Sequence, residues 1–69
     1  MDPVEKELES RRKSIARELE LLFKANMKIT DWDVPEADDR KAAELLLNIM
    51  REELEQIGRD VAAGKYDHY

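Results

Sequence analysis

The chain has 69 residues, 42% of them charged and 42% hydrophobic, with a net charge of −5 and no cysteine. This length allows one small domain with a marginal core, and the missing cysteine excludes disulfides and thiolate metal sites. No apolar run approaches the ~20 residues of a bilayer span, and the start MDPVEKELES lacks the basic-then-apolar order of a signal peptide, so a soluble, unprocessed, cytoplasmic protein is expected.

The first element is a helix. Val4, Leu8, Ile15, Leu19, Leu22 and Phe23 recur at steps of three, four and seven, the spacing that gathers side chains on one side of a helix. The spacing predicts helix 1 over about residues 3–27. Its start is marked by Asp2-Pro3-Val4-Glu5: Asp2 can accept from a free amide of the first turn, Pro3 has no N–H to leave unpaired, and Glu5 can complete a capping box. Arg12 and Asn26 interrupt the stripe, as polar residues do at its edge or where they set register.

A corner is expected over 28–34. Residues 31–39 hold five acids and no base, so the whole negative balance of the chain sits there, around its one tryptophan. A second tetrad, Asp33-Val34-Pro35-Glu36, resembles the first and is expected to cap helix 2, with Glu36, Asp38 and Asp39 favoured at the positive end of its dipole. Trp32 is expected to close a small core at this corner with Phe23, Met27 and Val34.

Helix 2 is predicted over about residues 35–63 from Ala43, Leu46, Met50, Leu54, Ile57 and Val61, with Gly64 as its stop. Leu45, Leu47 and Ile49 widen its apolar face beyond what one neighbour covers. Gly58 costs about 1 kcal/mol relative to alanine inside a helix, which implies either a close neighbour there or a loose final stretch. The segment 64–69, Gly-Lys-Tyr-Asp-His-Tyr, has no periodicity and is expected to be a flexible tail.

No catalytic, cofactor-binding or metal-binding residue emerges from the motifs. An EF-hand loop beginning at Asp31 puts Glu36 where glycine is required and Ala42 where the bidentate glutamate belongs, and one beginning at Asp33 puts Pro35 and Ala37 at ligand positions. His68 is the single histidine and stands next to the end of the chain, which leaves Ser10 and Ser14 without a base for nucleophilic chemistry and helix faces without a His–carboxylate metal pair. Gly58 and Gly64 are too far apart for a phosphate loop.

The expectation is therefore an all-α antiparallel two-helix hairpin over residues 1–63 that dimerises into a four-helix bundle. It would serve as a non-enzymatic protein–protein interaction or regulatory module, without cofactor or membrane contact. Leu45, Leu46, Ile49, Met50, Leu54 and Ile57 are the candidate residues of the dimer or partner interface. The competing expectation is a nucleic-acid-binding hairpin dimer that uses Lys6, Lys13, Arg17, Lys24 and Lys28, which fall within roughly 60° of arc on helix 1. Pairing of Glu9 with Lys13 and of Glu20 with Lys24 argues instead for an ordinary solvated face. A third class is a small subunit that becomes ordered only within a larger complex.

Overall fold

The computed structural model describes residues 2–36 and 38–69. The chain is all-helical, and among the described residues there are three helices and no strand: α1 (Pro3–Ser10), α2 (Arg12–Asp33) and α3 (Asp39–Ala62).

α1 begins as its sequence demands. The Glu5 N–H donates to Asp2 Oδ1 at 2.9 Å, and Pro3 occupies the first turn. The single residue Arg11 separates α1 from α2. Its N–H donates to the Leu8 carbonyl at 3.1 Å and its carbonyl accepts from Ile15 at 3.0 Å, so the hydrogen-bond ladder is tightened for one residue and then resumes. The longest dimension of the molecule is 49 Å, about the ~46 Å that 31 residues rising ~1.5 Å each would span. α1 and α2 thus run on in one direction.

The expected helix 1 is split at Arg11 and extends six residues past its expected end. Pro35 explains where α2 stops. A proline forces the residue before it out of the helical region, and Val34 has φ −132° and ψ 82°. The tetrad at 33–36 therefore terminates an incoming helix, whereas the similar tetrad at 2–5 starts one.

The cap of α3 moves accordingly from Asp33 to Asp38, whose Oδ1 accepts from the N–H groups of Arg40 (3.0 Å) and Lys41 (3.3 Å). The corner comprises residues 34–38 rather than 28–34. Ala37 lies outside the described residues.

α3 ends in a Schellman motif. Gly64, at φ 84°, donates to Val61 O at 3.1 Å, and Lys65 donates to Asp60 O at 3.0 Å, the paired bonds that satisfy the last carbonyls of a helix. Gly58 has open space where a Cβ would stand, so no close neighbour accounts for it. The segment 64–69 forms turns: Asp67 N–H donates to Gly64 O at 3.2 Å, and the rings of Tyr66 and Tyr69 meet edge to face at 5.5 Å.

Packing is confined to α2 against α3 near the turn. Phe23, Asn26, Met27 and Thr30 on α2, with Ala42, Ala43, Leu46 and Met50 on α3, are half-buried. The two polar members of this set bond to their own helix: Asn26 Nδ2 donates to Leu22 O and Thr30 Oγ1 donates to Asn26 O, both at 2.9 Å. No described residue is fully buried.

Candidate interaction surface

A groove of about 290 Å³ runs between α2 and α3. Ala16, Leu19 and Phe23 line it from one side and Leu47, Met50 and Leu54 from the other, with Glu20 and Arg51 at its rim. Its walls are apolar because each helix turns one stripe toward the other at the spacing read from the sequence. The stripes nevertheless do not close over it, and both Leu19 and Leu54 remain exposed.

The residues expected at a dimer interface divide into two sets. Leu46 and Met50 are half-buried, and Met50 lines the groove against α2. Leu45, Ile49, Leu54 and Ile57 are exposed, Ile49 at 63%.

The corner core is corrected at Trp32. Phe23 and Met27 are half-buried, but Val34 is exposed and Trp32 is 89% exposed. The cause is the length of α2. Because the helix runs on to Asp33, the nine residues from Phe23 to Trp32 turn through about 900° at about 100° per residue, which sets the two side chains on opposite sides of the helix. A helix ending near residue 27 would have left Trp32 free to fold back; this one carries it outward.

The bases of the competing nucleic-acid expectation are all exposed, and Lys6 is separated from Lys13, Arg17, Lys24 and Lys28 by the break at Arg11. Lys24 Nζ is 3.0 Å from Glu20 Oε1. Glu9 pairs not with Lys13 but with Arg12, through two bonds from Nε (3.0 and 3.1 Å) and one from Nη2 (2.8 Å), so this fork raises the Arg12 pKa. Its aliphatic stem therefore stays on the surface beside Leu8 and Ile15.

Electrostatically the corner is one-sided. The Asp31 carboxyl is pushed above its ordinary value, first by a hydrogen bond with the Asp39 carboxyl, then by partial desolvation, then by the repulsion of that like charge. Asp31 and Asp33 also stand in the last turn of α2, where the helix dipole favours bases and where this helix has none. Asp2 is the opposite case: the Glu5 amide holds its carboxyl below the ordinary value.

Among the described residues no group of three or more His, Asp or Glu side chains is placed to hold a metal ion. Among the described residues no helix is long and apolar enough to cross a membrane. Comparison with known proteins yields no likeness: no family model, no curated protein and no solved structure matches this chain.

Proposed function

We propose that this chain is a non-enzymatic interaction module that works by helix packing. In this reading α2 and α3 form an antiparallel hairpin, and two copies associate into a four-helix bundle in the cytoplasm. The observation that carries it is the exposure of large apolar side chains, among them Leu22 (55%), Ile29 (56%), Trp32 (89%), Leu45 (53%) and Ile49 (63%), on a chain whose total surface is in excess. The chain exposes 6526 Å², about 2,000 Å² more than the ~4,500 Å² expected of a compact chain of its mass.

A single copy is close to break-even, since ordering costs about 1.5 kcal/mol per residue and full burial of a Leu or Ile side chain returns about 1.5–3 kcal/mol. Here neither stripe achieves full burial. Covering Leu45 and Ile49, which lie one turn apart on the same side of α3, with another helix supplies what the isolated chain lacks.

Sedimentation equilibrium with far-UV circular dichroism, over a concentration series through the micromolar range, tests this. The expected result is a monomer–dimer equilibrium with helix content that rises as dimer forms. A well-folded monomer at every concentration overturns the proposal.

A further inference from the structure

α2 carries a second apolar seam that its packing on α3 leaves unused. Ile15, Leu22, Ala25, Ile29 and Trp32 follow one another at steps of seven, three, four and three, the a/d spacing of a helix-packing seam, with Glu18 filling the sixth position. All five lie within the one helix and are exposed, Leu22 at 55%, Ile29 at 56% and Trp32 at 89%. At about 100° per residue the seam is centred more than a quarter-turn away from the side occupied by Phe23, Met27 and Thr30. On α3 the same geometry sets Leu45 (53% exposed) and Ile49 on the same side of the α2–α3 contact as this seam. Two helices thus present apolar residues on one side, interrupted on α2 by Glu18.

Charge points to what covers it. The region that opens α2 is basic, with Arg11, Arg12, Lys13 and Arg17, while its far end and the turn after it are acidic, with Asp31, Asp33 and Glu36. Among the described residues neither Arg11, Lys13 and Arg17 nor Asp31, Asp33 and Glu36 take part in an ion pair. The acidic end opposes the helix dipole and crowds Asp31 against Asp39. A surface basic at one end and acidic at the other complements itself only when reversed.

We propose that the seam binds the same seam of a second copy, antiparallel, about a two-fold axis near residues 22–25. Layers of an antiparallel pair alternate a with d, so Leu22 of each copy lies beside Ala25 of the other and Ile15 beside Trp32. Ala25 allows close approach at the centre. This register carries Asp33 and Glu36 to the level of Arg11–Ser14 of the second copy, so the acidic end of each copy meets the basic end of the other. The inference rests on the homodimer of the proposed function and adds its face, direction and register.

Two measurements on the full chain test it. Because the protein has no cysteine, Leu22→Cys and Ala25→Cys variants can be mixed, oxidised and analysed by mass spectrometry. The antiparallel register predicts that the mixed 22–25 disulfide exceeds both like-with-like products and forms at least about tenfold faster than the disulfide of a Glu55→Cys control.

Charge reversal covers the case in which a cysteine variant fails to fold. Arg11→Glu and Asp33→Arg should each weaken self-association about tenfold, and the combined variant should recover it to within about threefold, with helix content verified by circular dichroism. A dimer that shows neither the mixed disulfide nor the recovery overturns this inference while leaving the homodimer intact. A monomer at every concentration overturns both.

Discussion

Lys65 holds Asp60 twice, donating its backbone N–H to the Asp60 carbonyl at 3.0 Å and keeping its ammonium 3.6 Å from the same residue's carboxylate. A Schellman motif usually closes with an apolar contact between these two positions. Here an ion pair takes that place, and the same Lys65 ammonium lies over the Tyr66 ring, 5.9 Å from its centroid. The motif depends on the left-handed conformation of Gly64. Gly64→Ala should cost about 1–2 kcal/mol, since a side chain is strained at φ 84° and its Cβ would come 2.9 Å from Asp67 Oδ2. Chemical denaturation measures this loss, and amide exchange at Lys65 should quicken.

Gly58 predicts the reverse. It lies inside α3 with open space around its Cβ position, so Gly58→Ala should stabilise the protein by about 0.5–1 kcal/mol through helix propensity and lowered entropy of the unfolded chain. The check is an increase in denaturation midpoint without a change in slope.

The cap of α3 separates two neighbouring aspartates. Asp38→Ala should cost about 1 kcal/mol and expose the Arg40 and Lys41 amides to faster hydrogen exchange. Asp33→Ala should leave exchange at those two amides unchanged, because Asp33 lies at the end of α2.

The carboxylates should titrate in a distinct order. Asp31, held above its ordinary value by Asp39, should take up its proton at a higher pH than Asp2, which the Glu5 amide holds below its ordinary value. Folding raises the affinity of Asp31 for its proton, so Asp31 adds stability as the pH falls through its folded pKa and subtracts it as the pH rises again. Asp2 contributes stability above its unfolded pKa and loses it as the pH falls through its lower folded pKa. Carboxyl-carbon NMR titration checks both directions, and Asp39→Asn should return Asp31 toward the ordinary range.

Trp32 reports on assembly. In dilute monomer its emission should be red and readily quenched by iodide, as for an indole that is 89% exposed. On dimerisation through the α2 seam the emission should shift to the blue and quenching should fall. Trp32→Ala should change monomer helix content little and weaken the dimer at least tenfold, because a large aromatic removed from an interface takes much of the binding energy with it.

Some features of this protein follow from neighbours along the chain, and the sequence alone suffices for those. Asp2 before Pro3 begins a helix, Gly64 ends one, and the apolar periods of α2 and α3 make both amphipathic. Each depends on interactions spanning a few residues, where residue type and position fix the geometry.

The face on which Trp32 emerges was not legible in the same way. It depends on whether α2 stops near residue 27 or continues to the proline, and Lys28, Ile29, Thr30 and Asp31 are compatible with either outcome. Six further residues of helix rotate the side chain by more than a full turn and set it opposite Phe23. Which of two aspartates caps α3 follows from the same length, since Asp33 was consumed by the preceding helix and Asp38 was left to cap the next. How far a helix extends, and so the direction in which its last side chain points, is set by cooperative hydrogen bonding along the whole element and by its packing against α3, and these only the tertiary structure decided.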